Sequence, residues 1–206
     1  MTRIPAVVTA VLCSALPFLA TVSVSARTRT PQSAAAKGQD KPVNPAARTM
    51  ASFTERVDAY LKLQKEEQAK LPKLKPEATP IEIDRHQRAL GAAMAKARAG
   101  ARPGDVFTPE MQKVARELML RVFATAHDRR ELRDSVMDEN PTAVRFKVND
   151  RYPDTVPLST MPPEVLQNLP RLPEGLEYRF VGDALILLDP DAHIVVDYVT
   201  RALPKK

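Results

Sequence analysis

The chain has 206 residues, with 31 Lys and Arg against 25 Asp and Glu, a net charge of +6 and a pI near 9.5. One cysteine excludes a disulfide framework, and six glycines, none suitably clustered, exclude a phosphate-cradling loop. The absence of tryptophan and the shortage of other aromatic rings leave little to stack on bases or sugars. The positive charge is also local: residues 27–50 hold Arg27, Arg29, Lys37, Lys41 and Arg48 against Asp40 alone, which is +4, and the body from 51 to 206 carries only +1. Nucleic acid is therefore not an expected partner.

Residues 1–26 read as a cleaved secretory signal peptide. Met1-Thr2-Arg3 is a short positive start, Ile4 to Ala20 is apolar and uncharged, and Val24-Ser25-Ala26 fits a small-x-small cleavage site. The alternative is an uncleaved anchor, but the run is a little short for a span and Pro5 and Pro17 interrupt it. No stable membrane insertion is expected after cleavage. Cys13 follows Leu12, which is not the small residue that a lipoprotein site requires. The expected location is periplasmic or secreted. Residues 27–50, rich in Ala, Pro, Thr, Ser, Gln and Lys, read as a disordered basic linker.

Residues 51–206 read as a single α+β domain, with three to four helices over 51–139, then a proline-rich wrap and a β-meander over 141–200. From Ser52 to Leu71, Phe53, Val57, Tyr60 and Leu61 recur at helical spacing until Pro72 intervenes. Thr79-Pro80-Ile81-Glu82 is a capping box that opens a second helix, with Ile83, Leu90, Met94 and Ala97 as its apolar stripe. Thr108 and Pro109 open a third, faced by Met111, Val114, Ala115, Leu118, Val122 and Phe123. It runs toward Glu139, with a bend expected at Asp128-Arg129-Arg130-Glu131.

Val144 to Val148 alternates like a short strand. Tyr152 to Pro173 is proline-heavy and extended, with one short helix at Pro163-Glu164-Val165-Leu166. Glu177 to Val181, Ala184 to Leu188 and His193 to Val199 are the strands of a three-stranded antiparallel meander. Gly182-Asp183 is a two-residue hairpin turn, and Asp189-Pro190-Asp191-Ala192 has type I turn chemistry. Those loops would set Phe180 opposite Leu185 and Val196, and Tyr178 opposite Leu187 and Ile194, on the core face. The other face would carry Arg179, Ile186 and Val195 in one row, with Glu177, Leu188 and His193 in the next. A sheet this small needs something packed on it, so helices and meander are expected to share one core.

Val148-Asn149-Asp150-Arg151-Tyr152-Pro153, Leu172 to Gly182, Leu187-Leu188-Asp189 and Ile194-Val195-Val196-Asp197 together resemble a group of uncharacterised exported proteins of Gram-negative soil bacteria. The hairpin, over about thirty residues, is similar to the C-terminal segment of the periplasmic nickel/cobalt-homeostasis family. This chain departs from that family in lacking a His-rich metal-binding tract. The resemblance implies a small periplasmic protein and no functional residues.

Three histidines, His86, His127 and His193, stand far apart and form no zinc spacing. His193 has Asp189, Asp191 and Asp197 nearby in sequence, and Glu177 in a neighbouring strand. A calcium loop does not fit, because Ile194 and Thr200 occupy the positions that need Gly and Glu. No nucleophile elbow or thiol remains after cleavage. No catalytic residue, metal ligand or cofactor is assigned, and Glu177, Arg179, His193 and Asp197 stand as candidate binding residues. The expected role is that of a non-catalytic envelope protein that binds or scaffolds a protein partner. Two alternatives stay open: an extracytoplasmic hydrolase built from His193, Glu177 and Arg179, and a metal-responsive periplasmic protein.

Overall fold

The computed structural model describes residues 44–125, 134, 136, 145–157 and 159–204. Its elements are α1 (Pro45–Gln68), α2 (Pro80–Ala97), α3 (Pro109–Thr125), α4 (Pro163–Asn168), β1 (Glu177–Val181), β2 (Ala184–Asp189) and β3 (Ile194–Val199). The fold is α+β, with the helices leading into a three-stranded antiparallel sheet of order β1-β2-β3. The described residues fall in one compact unit. The bend expected at 128–131 and His127 lie outside the described residues.

The helix starts follow from their caps. α2 opens on the expected capping box: the Glu82 N–H donates to Thr79 Oγ1 at 3.4 Å, and the Thr79 N–H donates to Glu82 Oε2 at 2.7 Å. Those bonds from Thr79 hold the Glu82 carboxyl below its usual range. At α3 the Met111 N–H donates to Thr108 Oγ1 at 3.3 Å. α1 departs from expectation by starting at Pro45, inside the stretch read as disordered linker. Asn44 Oδ1 accepts the Ala46 N–H at 3.0 Å and Pro45 takes the first turn, a cap signature that the polar composition around it masked. Ile83 also departs, at 41% exposed, because the first turns of α2 project beyond the core and full burial begins at Leu90.

One apolar cluster joins helices and sheet. Phe53, Val57 and Tyr60 of α1, Leu90 and Met94 of α2, and Met111 and Phe123 of α3 meet Tyr178, Phe180, Leu185, Leu187, Ile194 and Val196. Each large side chain so buried contributes about 1.5–3 kcal/mol. Phe107, in the α2–α3 loop, stacks on Phe53 with ring centroids 5.2 Å apart and lies 6.4 Å from the Tyr178 ring, so one residue spans both halves.

The outer face of the sheet is covered from within the chain. Val181, Ile186, Leu188 and Val195 form a second cluster with Tyr152, against which Phe146, Val156 and Tyr198 pack. The segment that supplies this cover was expected to be a strand at Val144–Val148. Among the described residues it is not one: Lys147 to Asp150 makes a turn, with the Asp150 N–H on Lys147 O at 3.1 Å and Asn149 at φ 68°. Asn and Asp favour that geometry over a ladder. Pairing occurs further along instead. The Asn149 N–H donates to Val195 O (2.8 Å), Val195 N–H to Asp150 O (2.9 Å) and Tyr152 N–H to His193 O (2.9 Å).

The β1–β2 register is the expected one, with Tyr178 opposite Leu187 and Phe180 opposite Leu185. The β2–β3 register is not. Leu185 faces Val199 and Leu187 faces Asp197, where Val196 and Ile194 were expected, and Tyr198 and Val195 take the places given to Val195 and His193 in the outer rows. The turn includes His193, which adopts φ 53°. A bulge opposite Leu187/Leu188 then adds a residue at Val196. Strict alternation would send Asp197 outward with Val195. The bulge returns it to the helix side, a re-aiming that bulges commonly serve.

Gly91 lies inside α2, where glycine costs about 1 kcal/mol relative to alanine. A Cβ there would sit 2.9 Å from the Ala192 carbonyl oxygen and 3.2 Å from Ile194 Cγ2, so the helix approaches the β2–β3 turn through its bare backbone. We predict that Gly91→Ala destabilises the protein by about 1–3 kcal/mol in urea unfolding, the overpacking outweighing the helix gain. Gly100→Ala, with nothing within 4 Å of its Cβ, should leave the midpoint unchanged or higher. A rise for Gly91→Ala would refute the close approach.

Candidate functional site

Glu177, Arg179, His193 and Asp197 do not converge. The structure places them in three neighbourhoods with different chemistry.

Asp197 is fully buried on the helix side of β3. Its carboxylate accepts backbone N–H groups from Gly104 (3.0 Å), Val106 (2.8 Å), Phe107 (2.8 Å) and its own neighbour Tyr198 (2.8 Å). Gly104, at φ 96°, turns its N–H into this cradle in a conformation that disfavours a side chain. The carboxylate is thus consumed by the α2–α3 loop and faces no solvent. Asp189, at the end of β2, has a similar employment. One oxygen accepts the Ala192 N–H at 2.8 Å, as its turn chemistry implied, and the other accepts the Tyr60 hydroxyl at 2.6 Å and Gln64 Nε2 at 2.9 Å. Burial pushes the Asp189 carboxyl up despite these donors, and burial together with Asp189 pushes the Tyr60 hydroxyl up. Arg98 lies 4.9 Å over the Tyr60 ring and donates to Asn149 Oδ1 at 2.6 Å and Val196 O at 3.1 Å.

His193 joins a charged network that sequence reading missed. Arg151 Nη2 donates to Asp84 Oδ1 (3.0 Å) and Asp154 Oδ1 (2.8 Å), and Arg88 reaches Asp84 Oδ2 (2.8 Å) and Asp154 Oδ2 (3.3 Å). His193 Nε2 lies 3.4 Å from Asp154 Oδ1, and its ring meets Tyr152 edge-on at 5.9 Å. The signals were present in the spacing: Asp84 and Arg88 are four apart on one helix, and Arg151 and Asp154 are three apart. Hydrogen bonding from Arg88 and from Arg151 holds the Asp84 and Asp154 carboxyls low. Chemically the network fastens α2, the 151–154 loop and the β2–β3 turn together through solvent-screened pairs, each a weak contributor to stability.

Glu177 and Arg179 are brought together, Arg179 Nη2 donating to Glu177 Oε2. They line a cleft of about 410 Å³ with Met161, Leu166, Leu172 and Tyr178, and Arg171 is the second cation on its rim. α4 positions Leu166 at 46% exposed. The Tyr178 hydroxyl donates to Pro170 O at 3.0 Å, fixing the proline-rich wrap against β1. Among the described residues, no three His, Cys, Asp or Glu side chains gather in a group able to hold a metal ion, and no helix is long and apolar enough to cross a membrane.

No protein-family model, curated protein or solved structure matches the chain.

Two outcomes follow from these neighbourhoods. Asp197→Asn replaces one acceptor oxygen by a donor facing N–H groups, and should cost about 2–4 kcal/mol in denaturant unfolding. A loss within 0.5 kcal/mol, roughly the range of ordinary surface changes, would show that the cradle is dispensable. Burial first, then Arg151, lowers the His193 pKa, with Arg88 adding to the fall and Asp154 and Asp84 opposing it. The neutral ring is therefore favoured in the folded state. Its share of stability is present above the unfolded value of ~6.5 and is lost as pH falls through the lower folded value. Titrating the His193 ring by NMR should show Asp154→Asn moving the pKa further down and Arg151→Gln moving it up. Shifts of the opposite sign would exclude this charge arrangement.

Proposed function

We propose that the chain is an exported, non-catalytic binding protein of the cell envelope, whose cleft along β1 receives an extended segment of a partner protein. The observation that carries this reading is the make-up of that cleft: an apolar wall with Leu166 left half-exposed, rimmed by Arg171 and by the Arg179–Glu177 pair. Apolar recesses with a few placed polar groups are the usual form of binding sites. An occupant with an apolar side chain flanked by carboxylates matches both features. The buried carboxylates Asp189 and Asp197 are engaged in holding α1 and the α2–α3 loop to the sheet, which favours a scaffold over a reaction centre. Export rests on the N-terminal pattern of a positive start, an apolar run and Val24-Ser25-Ala26.

The test uses the full chain expressed in its host with a photo-reactive amino acid at Leu166, and separately at Leu120 on α3, which is 55% exposed. Cross-linking from position 166 and not from 120, abolished by Arg171→Glu with Arg179→Glu, is expected. The mature protein should begin near Arg27 and be recovered from the envelope fraction. Equal cross-linking from both positions, or a chain that always purifies alone, would remove the docking role.

A further inference from the structure

A second cleft lies in the helical part of the molecule, more apolar in its surface than the first and with three cations and His86 in its lining. It is formed where the α1–α2 connection folds back on the first turns of α2, and its volume is about 390 Å³, within the range of ~300–1,000 Å³ typical of small-ligand sites. Its wall is built from Leu71, Pro72, Leu74, Ala78 and Ala89. Leu74 is 42% exposed, so apolar surface remains open to solvent at this end of the helical hairpin.

The charges around it are unbalanced. Lys73, Lys75 and Arg85 line the cleft, and no carboxylate forms an ion pair with any of them among the described residues. Glu82 is the one acid in the lining, and its carboxylate is turned to the cap, accepting from the Thr79 N–H at 2.7 Å and the Thr79 hydroxyl at 2.8 Å. The capping box that starts α2 therefore engages that acid in hydrogen bonds to Thr79; Arg85 also acts on it through space, while Lys73 and Lys75 have no acidic partner in the lining. Lysine stems can lie along an apolar ligand while their ammonium groups meet its head.

We propose that this cleft binds a small anionic amphiphile: a single unbranched acyl chain ending in a carboxylate. The carbon wall takes the chain, and Lys73, Lys75 and Arg85 take the head. The site is separate from the β1 cleft and stands or falls without it.

The test is titration of the mature chain with decanoate below its micelle concentration, followed by calorimetry. Decyltrimethylammonium carries the same chain with the opposite head, and acetate carries the head without the chain. Saturable one-to-one binding of decanoate tighter than roughly 1 mM is expected, with neither control binding measurably. Lys73→Glu with Lys75→Glu, both in an exposed loop, should weaken it by roughly tenfold or more while the helical circular dichroism and thermal midpoint stay as in the parent. Ala89→Trp, which fills the wall from an exposed helix position, should weaken it with no change of charge. The proposal is overturned by equal binding of the cationic amphiphile, by unaltered binding in the double lysine variant, or by absence of saturation. It is also overturned if the chain floats with anionic phospholipid vesicles and decanoate does not compete, since the cleft would then be reading a lipid surface.

Discussion

The contact on which most of the architecture depends is the Asp197 carboxylate in its ring of backbone amides. A charge out of water is tolerable only when its lone pairs are filled, and here the donors come from a loop with no regular structure of its own. The bond set fixes where that loop runs. The loop in turn fixes Phe107, which stacks on α1 and leans toward β1, and Thr108, which starts α3. The bulge in β3 makes sense in this light, since it delivers the carboxylate to the helix side. Sheet irregularity, loop path and helix start are one device.

Asp189 repeats the idea at the next turn, reaching Tyr60 and Gln64 of α1. Asp189 ends β2 and Asp197 lies within β3, and each reaches a different part of the helical layer. Apolar packing would tolerate small slides of helices over the sheet. Directed bonds to Tyr60 on one side and to the amides of 104–107 on the other do not. Arg98, held between the Tyr60 ring and the backbone of Val196, links the two anchor points from the α2 side.

Features governed by neighbouring residues were readable in the sequence. The caps at Thr79 and Thr108, the hairpin at Gly182-Asp183 and the short helix at Pro163 all depend on chemistry within four residues, and each is where that chemistry puts it. The core face of the meander was also legible, because Phe180, Leu185 and Leu187 alternate. The β2–β3 register was not, because it depends on where Asp197 must go, and that is set by a loop some ninety residues earlier. The candidate site fared similarly. Glu177 and Arg179 are neighbours on one strand and do meet. His193 meets Asp154 and Arg151 only because the 149–152 segment pairs with β3, which periodicity could not reveal. The α1 start was missed for the opposite reason: Asn44-Pro45 was visible, but compositional bias spoke louder than the cap.

The same 149–152 segment has a consequence for the fate of the protein at high concentration. A three-stranded meander has two lateral rims, and an open rim of backbone groups invites a neighbouring molecule to add a strand and start a polymer. On the β3 rim, Asn149, Asp150 and Tyr152 already occupy those positions with bonds of 2.8–2.9 Å. On the β1 rim, Ser159 Oγ donates to Phe180 O at 3.1 Å and the proline-rich wrap, which lacks many of the N–H groups a ladder would need, lies alongside. The proline-rich wrap read from the sequence as a cover thus also lies where a further strand would have to add, a placement that disfavours sheet growth at that rim.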